Sequence, residues 1–439
     1  MNIMENINKK LSTIAVLGTG YVGLPIINLL AKKASIIAYD IDKKRILRLS
    51  KKNNNKNIVF TNDKQLIKKA DAIIVCVPTP TDNQNKPDLN YLKQACIIIA
   101  QNMKEGVLII FESSYMPTCT EKMCIPLLEE YSGLKNDVNF YVGYSPERIN
   151  PGDTKNTLSN ITKLIASPSK NVLKAMRYIY SGIGEINVYE VDDIKVAEMS
   201  KLVENCQRDI NIAFSNELSV LCHKLGIDIN EVINSAGTKW NFAKYYPGLV
   251  GGGCVGVNSY YLMDLAEQYN IEMKSLKVAR QVNSSITKFI VEELNRMVYN
   301  IENTTKDNIK VVIYGYTYKE DIPDTRNTKV ENLYRELLAE SYNVCICDYN
   351  VTSCDYVSKE DINNADVIIL AVPHKKYINW DKKELNVKYN LKSKYKIFMD
   401  LKSSYKTKEM SNMINYWHLQ KILMRGFDFV PLFCNTNKY

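Results

Sequence analysis

The chain has 439 residues, of which 46% are hydrophobic and 24% are charged. This composition is typical of a soluble globular protein, and the length predicts two or three domains. The net charge is +9, but the lysines are scattered and often interleaved with asparagine, as at 51–56. Because the sequence contains no basic helix with base-reading residues, the charge suits a small anionic substrate better than a nucleic acid.

The cysteine and histidine content predicts the cellular compartment and argues against a metal site. The 11 cysteines are an odd number in a long chain, which is typical of free thiols in a reducing cytoplasm. The first ten residues lack an apolar signal core, and no apolar run reaches the roughly 18 residues that span a bilayer. We therefore expect a cytoplasmic protein without a membrane span. The three histidines and the Cys345–Cys347 spacing do not match a zinc site, so no metal is expected.

The N-terminal region follows the pattern of a dinucleotide-binding unit. An apolar strand at 13–17 leads into a glycine turn and then an apolar helix to about residue 32. A second strand at 35–39 ends at Asp40, and further strands are predicted at 72–77 and 106–111.

The turn itself has the spacing G-x-G-x-x-G. Gly18 permits the tight turn, Gly20 lets the backbone approach a pyrophosphate at a helix N-terminus, and Gly23 lets the helix pack on the sheet. Asp40 can accept hydrogen bonds from a ribose diol and repels a 2′-phosphate, which favours NAD over NADP. The nearby Arg45, which follows two lysines, weakens that preference.

The rest of the chain predicts a long helix and a second α/β domain. Residues 192–227 have apolar positions at helical spacing and no glycine or proline before Gly226. The strand–glycine–helix pattern then restarts at Lys310, and the segment 70–78 is echoed at 365–373. We expect an α/β fold with two doubly wound Rossmann-like domains joined by a long central helix. The predicted division is an NAD-binding domain, a helical dimerisation region with the nucleophile loop, and a domain that binds a different ligand: 1–190, 191–300 and 301–439.

A glycine-rich loop surrounds one cysteine. Four glycines lie within six residues at 251–256, around Cys254. Glycine gives this backbone freedom and leaves room for a close-fitting ligand, so Cys254 is the candidate nucleophile. The alternative for any cysteine is a small core residue, and that interpretation suits a group in apolar strand or helix patterns: Cys76, Cys96, Cys206 and Cys222.

Two further clusters offer acid–base groups. Lys201, Asn205 and Arg208 fall at i, i+4 and i+7 of the long helix, which is one face. That face is either a partly desolvated acid–base site or a solvated surface. The loop 145–152 carries Glu147 and Arg148 between two prolines, and is either functional or a plain connection.

The motifs occur in a recognisable order: GTGYVGLP at 18–25, VCVPTPTD at 75–82, SPERINPGD at 145–153, KLVENCQRDINIAFSNEL at 201–218, PGLVGGGCVGV at 247–257 and YGYTYKEDIPDTRNTKV at 314–330. This order resembles the UDP-glucose/GDP-mannose dehydrogenase family over nearly the whole chain. The cysteine loop is most similar to the branch that acts on UDP-N-acetylhexosamines.

The resemblance implies a four-electron oxidation of C6 of the sugar with two NAD, for surface polysaccharide precursor synthesis, and a homodimer through the central helix. It implies that Cys254 forms a thiohemiacetal and then a thioester. Lys201 lies near the developing charge, Asn205 stabilises the oxyanion or water, and Glu147 activates the water with Ser114 and Asn258 nearby. Further residues take cofactor-binding positions: Gly18, Gly20, Tyr21, Val22, Gly23, Asp40, Arg45, Thr79, Pro80 and Ser114. Others take substrate-binding positions: Glu147, Arg148, Lys201, Asn205, Arg208, Gly251, Tyr260, Tyr261, Lys319 and Arg326.

The sequence departs from the related branch beside the cysteine. Gly253 stands where that branch has histidine, and Asn258 and Ser259 stand where it has aspartate and proline. An asparagine still accepts a hydrogen bond but carries no charge, so we expect slower thioester hydrolysis. Two alternatives stay open: a UDP-glucose 6-dehydrogenase, and a nucleotide-sugar-binding protein with impaired catalysis.

Overall fold

The computed structural model describes residues 13–149, 152, 155–299, 305–351, 354–390, 396–405, 410 and 414–419, with the backbone of 421–422. These residues form two compact units. The first comprises the chain up to Arg208 together with Gly253–Lys277, and the second comprises Asp209–Gly252 and the chain from Val278 onward. No helix among the described residues is long and apolar enough to cross a membrane.

The first unit is built on an eight-stranded sheet in the order β3-β2-β1-β4-β5-β6-β7-β8. Neighbouring strands are parallel except β6 and β7, which are antiparallel. The strands are β1 Thr13–Leu17, β2 Ser35–Tyr39, β3 Ile58–Thr61, β4 Ala72–Val75, β5 Val107–Phe111, β6 Phe140–Tyr144, β7 Lys163–Ala166 and β8 Val188–Val191.

The central strands are apolar on both faces because helices cover both faces of a parallel sheet. In β1, Ile14, Ala15 and Val16 are fully buried, and β4 and β5 are buried along their whole length. The helices of this unit are α1 Gly23–Leu30, α2 Lys43–Lys52, α3 Asn90–Asn102, α4 Ile125–Ser132 and α5 Lys170–Arg177. The strands predicted at 13–17 and 35–39 are confirmed, and the strand predicted at 72–77 ends at Val75.

The predicted long helix is confirmed as α6, Ile194–Leu225. Its apolar positions divide between two environments. Leu202 and Ala213 are buried, whereas Val203, Phe214 and Leu221 are each about half exposed. Further helices follow it in the chain: α7 Ile229–Ala236, α8 Val255–Gln268 and α9 Lys274–Tyr299.

The second unit repeats the design of the first. Its seven strands lie in the order β11-β10-β9-β12-β13-β14-β15, and they are parallel except for β14 and β15. In the first sheet β1 lies between β2 and β4, and in the second sheet β9 lies between β10 and β12. Because β4 and β12 belong to the two echoed segments, 70–78 and 365–373, these equivalent strand orders confirm the internal repeat. The elements are β9 Lys310–Tyr314, α10 Val330–Ala339, β10 Asn343–Cys347, β11 Val357–Ser358, β12 Val367–Leu370, α11 Lys382–Lys388, β13 Ile397–Asp400, β14 Asn415–His418 and β15 Lys421–Ile422.

Candidate active site

The glycine turn after β1 has the contacts that a dinucleotide site needs. Gly18 has a φ of +95°, and a Cβ there would lie 2.5 Å from the Cys76 carbonyl oxygen. A Cβ on Gly23 would lie 1.9 Å from the Gly18 carbonyl oxygen, so both positions require glycine. At Gly20, by contrast, a Cβ would meet no atom within 4 Å. The turn is therefore tight where the helix packs on the sheet and open where a pyrophosphate would approach.

The residues between these glycines also have distinct environments. Tyr21 is 44% exposed, and Val22 is the residue directly before the first turn of α1. The first N–H groups of a helix have no acceptor within the helix, so this end favours an anion.

Asp40 lies directly after β2 and is buried. Its Oδ2 accepts hydrogen bonds from the backbone N–H and the hydroxyl of Thr19, both at 2.8 Å, and its Oδ1 accepts one from Asp42 N–H at 3.0 Å. Burial acts to raise the pKa of Asp40, but these donors and Arg45 outweigh it and hold the pKa below its ordinary value. Arg45 Nη1 lies 3.4 Å from Oδ2. An ionised acceptor at this position fits a ribose diol, and the turn and Asp40 together fit NAD.

The ends of β4 and β5 are joined by side-chain hydrogen bonds. The Thr79 hydroxyl donates to the Ser114 carbonyl at 2.6 Å, and the Ser113 hydroxyl donates to the Val77 carbonyl at 2.7 Å. The fully buried Tyr261 of α8 donates its hydroxyl to the Pro80 carbonyl at 3.1 Å. The structure thus brings together four predicted site residues, Thr79, Pro80, Ser114 and Tyr261, whereas Tyr260 is half-buried on the same helix.

Cys254 is the residue directly before α8, and it is the exposed cysteine among those that the structure describes. Its carbonyl accepts hydrogen bonds from the N–H groups of Val257 and Asn258 at 3.1 and 2.9 Å, so it begins the helix. A nucleophile at a helix N-terminus lies at the positive end of the helix dipole. The four cysteines predicted to be core residues, Cys76, Cys96, Cys206 and Cys222, are all buried.

The face of α6 that was predicted to carry acid–base groups is largely buried. Lys201 is 9% exposed and Asn205 is 8% exposed, whereas Arg208 is exposed. Asn205 Nδ2 donates to Asn258 Oδ1 at 2.5 Å, and Asn258 is itself 2% exposed. Because Asn258 lies one turn after Cys254, this hydrogen bond links α8, which begins at the candidate nucleophile, to α6, which carries Lys201.

Glu147 follows β6 and is 8% exposed. Its Oε1 accepts a hydrogen bond from Ile149 N–H, and its Oε2 is buried without a hydrogen-bond partner among the described residues. A buried carboxylate oxygen is costly without a partner, so this atom indicates a place for a water or a substrate group. Arg148 Nη2 pairs with Glu204 Oε1 of α6 at 2.7 Å. Residues 150–151 of the predicted loop lie outside the described residues.

The second unit gathers the remaining predicted substrate residues. A Cβ on Gly251 would lie 2.5 Å from the Asn327 carbonyl, and one on Gly252 would lie 2.6 Å from the Tyr318 ring. The two glycines therefore pack directly on the segment 318–327, which includes both Lys319 and Arg326. Lys319 is half-buried, and the exposed Arg326 is held by Asp324, with Nη2 and Oδ2 2.6 Å apart. This contact holds the guanidinium in one orientation.

The second sheet has its own glycine and its own acid. Gly315 has a φ of +89°, and Asp348 follows β10 as Asp40 follows β2. Asp348 is fully buried, and its Oδ2 accepts hydrogen bonds from Tyr316 N–H, Thr317 N–H and His374 Nε2. These donors enclose the carboxylate of Asp348.

The sequence interpretation missed several polar residues of the first unit. Thr19 holds Asp40, as described above. A buried ion pair joins Lys163 to Glu112, with Nζ 2.7 Å from Oε2. Glu198 of α6 is fully buried and accepts three hydrogen bonds from the segment after Ser114. Two sequence features could have drawn attention to these residues. Lys163 is a lysine in the otherwise apolar strand KLIA, and Glu198 lies three residues before Lys201 on the same face of α6.

Three family models match the chain in order. They are the NAD binding domain, the central domain and the UDP binding domain of the UDP-glucose/GDP-mannose dehydrogenase family, over residues 48–184, 195–285 and 312–407. Together with the glycine turn and the two Rossmann-like sheets, these matches define an NAD-dependent nucleotide-sugar dehydrogenase. The chain belongs to the UDP-glucose/GDP-mannose dehydrogenase family.

Individual relatives are similar over most of the chain. Protein CapL of Staphylococcus aureus is 38% identical, over 92% of this chain and 99% of its own length. The UDP-N-acetyl-D-glucosamine 6-dehydrogenase of Pseudomonas aeruginosa is 36% identical, over 83% of this chain and 91% of its own length. The solved structure of a UDP-D-ManNAc dehydrogenase from Pyrococcus horikoshii has a TM-score of 0.81 at 27% identity, and covers 93% of this chain and 99% of its own.

Proposed function

We propose that this protein oxidises C6 of a UDP-N-acetylhexosamine to the uronate, a precursor for surface polysaccharide. The observation that carries the proposal is the arrangement around Cys254: an exposed thiol begins α8, and Asn258 one turn later is hydrogen-bonded to Asn205 of the helix that carries Lys201. The names of the relatives support the substrate class, since one acts on a GlcNAc derivative and another on a ManNAc derivative.

The chain's own residues supply the groups for the first half of the reaction. NAD would be held by the residues of the glycine turn and by the acid after β2: Gly18, Gly20, Gly23 and Asp40. NAD when bound accepts the hydrides. Overall, one alcohol, one water and two NAD⁺ give one carboxylate, two NADH and three protons. Lys201 stabilises the alkoxide that forms when the C6 hydroxyl loses its proton. The Cys254 thiolate then attacks the C6 aldehyde, and the new C–S bond gives a thiohemiacetal.

The second half releases the product. Oxidation of the thiohemiacetal leaves a thioester on Cys254, and hydrolysis of its C–S bond returns the thiol. Glu147 takes the proton of the attacking water. Its Oε2, which is buried without a hydrogen-bond partner among the described residues, supports this role. The Asn205 amide donates a hydrogen bond to the oxyanion that forms on the thioester carbonyl.

The proposal also includes the residues that bind the UDP part of the substrate. Lys319 and Arg326 hold the UDP part of the substrate, because both are cationic and lie on the segment that packs against Gly251 and Gly252.

The exposed apolar residues of α6 support a homodimer through this helix, since exposed apolar patches mark interfaces. They include Val196, Met199, Val203, Phe214 and Leu221. The cytoplasm remains the predicted compartment.

The proposal is tested by following NADH formation with NAD⁺ and a panel of UDP-ManNAc, UDP-GalNAc, UDP-GlcNAc, UDP-glucose and GDP-mannose. We expect two NADH per sugar with one UDP-N-acetylhexosamine, and no activity above background for Cys254→Ala. Cys345→Ala is the matched control, because Cys345 is a half-buried thiol on β10 of the second unit, and it should keep full activity.

Each of the other results of this assay would support a different function. Preference for UDP-glucose would make the protein a UDP-glucose 6-dehydrogenase, and one NADH per sugar would mean that oxidation stops at the aldehyde. Binding of NAD and a UDP-sugar without any turnover would contradict the proposal and favour the catalytically impaired binding protein.

A further inference from the structure

The loop that follows β4 is held against α8 by a buried tyrosine. Tyr261 of α8 is fully buried, and its hydroxyl donates to the Pro80 carbonyl at 3.1 Å. The same carbonyl accepts a hydrogen bond from Asp88 N–H at 2.9 Å, where the loop returns. Burial raises the pKa of Tyr261, so its hydroxyl stays protonated and remains a donor. The Pro80 carbonyl thus joins α8 to both ends of the loop 80–88.

A surface ion pair also connects this loop to α8. Lys86 Nζ lies 2.9 Å from Asp264 Oδ1 and 3.0 Å from Glu267 Oε2, and both acids are on α8. Lys86 and Glu267 are exposed, so the pair contributes little to stability by itself. Its position shows that the loop lies along α8 from Tyr261 to Glu267, which is nearly two turns of the helix.

Tyr261 shares one face of α8 with two residues of the candidate site. Cys254, Asn258 and Tyr261 are spaced i, i+4 and i+7, which places them on one face of the helix that begins after Cys254. Asn258 is hydrogen-bonded to Asn205 of α6, whereas Tyr261 is hydrogen-bonded to the loop after β4. Polar contacts therefore hold α8 both to α6 and to the end of β4.

The loop begins beside residues that are predicted to bind the cofactor. Thr79 directly precedes Pro80, and the Thr79 hydroxyl donates to the Ser114 carbonyl at 2.6 Å. Hydride transfer depends on the exact placement of the reacting groups, and a misplacement of about 1 Å can slow a reaction about a hundredfold. The hydrogen bond from Tyr261 to Pro80 is a direct link between the predicted cofactor side of the site and the helix of the candidate nucleophile.

We propose that Tyr261 is a positioning residue, whose hydroxyl sets the distance between the turn 79–80 and the N-terminus of α8, where Cys254 lies. This role differs from the substrate contact that the sequence predicts for Tyr261. The inference rests on the proposed function, because it concerns the transfer of hydride from C6 of the sugar to NAD.

The test compares wild type with Tyr261→Phe, which removes the hydroxyl and keeps the ring. We expect the single-turnover rate of NADH formation, at saturating NAD⁺ and UDP-sugar, to fall about tenfold. The KM for the UDP-sugar should stay the same, because Tyr261 does not hold the sugar. In the free protein without NAD⁺, the Asp88 amide hydrogen should exchange about tenfold faster, since the loop is then less firmly held.

Two further variants separate positioning from a structural role. Tyr389→Phe is the matched control, because the buried Tyr389 hydroxyl donates to the Ile397 carbonyl at 3.0 Å in the second unit. This variant loses an equivalent hydrogen bond and should keep the wild-type rate, KM and Asp88 exchange. Lys86→Met loosens the same loop from the surface and should lower the single-turnover rate about twofold.

The failures are distinguishable. A wild type that forms no NADH with any nucleotide sugar overturns the proposed function and this inference together. A wild type that turns over, with Tyr261→Phe at the wild-type single-turnover rate, overturns the inference alone. A variant that only raises the KM for the UDP-sugar would show that Tyr261 binds the sugar, and an equal loss of rate in Tyr389→Phe would show a structural role. If Tyr261→Phe does not fold, Lys86→Met decides, because a wild-type rate in that variant overturns the inference.

Discussion

Asn258 is an uncharged residue at the centre of the candidate site. It is buried, it lies one turn after Cys254, and its Oδ1 accepts a hydrogen bond from Asn205. The amide therefore orients Asn205, but it can neither stabilise a cation nor take a proton. At the residue scale, we therefore expect Asn258 to limit acid–base chemistry beside the cysteine.

Restoring a carboxylate should speed the hydrolytic step. Asn258→Asp keeps the acceptor for Asn205 and adds a charge near the N-terminus of α8, where a negative charge is favoured. We expect the steady-state rate to rise about tenfold, with a further ionisation in the pH–rate profile. Burial of the charge should lower the free energy of unfolding. An unchanged pH–rate profile would refute this account, and the exposed Asn270→Asp is the control that should leave it unchanged.

At the element scale, Glu198 joins α6 to the segment that follows Ser114. Its carboxylate accepts hydrogen bonds from Thr118 N–H at 2.7 Å, and from the N–H and hydroxyl of Thr120 at 3.0 and 2.7 Å. The Glu198 side chain of α6 therefore contacts the first residue of the helical turn at Thr120–Cys124. Since Lys201 lies three residues after Glu198, these bonds help to fix the Lys201 face of α6 relative to the segment that follows Ser114.

The ionisation of Glu198 makes stability depend on pH. Burial outweighs the three donors and raises its pKa from 4.5 to about 7. The folded state therefore holds this proton more tightly than the unfolded state does. Its contribution is complete below pH 4.5 and is lost as the pH rises through about 7, and the total is on the order of 3 kcal/mol.

Glu198→Gln should flatten this part of the stability curve, because an amide does not titrate. The free energy of unfolding, measured by urea at pH 4.5 to 8, should vary less with pH in the variant than in wild type. It should also be lower overall, since the amide group cannot accept from all three donors. Equal slopes in the two proteins would show that Glu198 is not the titrating group. Glu105→Gln, an exposed change, is the control that should keep the wild-type slope.

At the scale of the whole molecule, the repeat of two sheets was predictable because its signals are local. Apolar strands that end in glycine or in an acid, such as 13–17 and 35–39, match β1 and β2 residue for residue. The long helix followed from its periodicity. Thr19, Lys163 and Glu198 were not predictable as site residues, because each acquires its role from a partner distant in sequence. The three-part division at residues 190 and 300 stays a prediction.

The repeat also shows how similar sheets diverge in their ligands. In the first unit a Cβ on Gly20 would meet no atom within 4 Å, and Asp40 accepts hydrogen bonds from Thr19 and Asp42. In the second unit Tyr316 and Thr317 follow the equivalent glycine, and His374 encloses Asp348. The open position of Gly20 is therefore taken by Thr317 in the second unit, although the order of strands around the turn is the same in both.

The central claim, a covalent intermediate on Cys254, is tested most directly by intact-protein mass spectrometry of Glu147→Gln quenched during turnover. We expect the protein to gain the mass of one UDP-linked uronyl group, the group to map to Cys254, and hydroxylamine to remove it as it removes a thioester. Formation of two NADH per sugar on an unmodified protein, or modification of a different cysteine, would contradict the account.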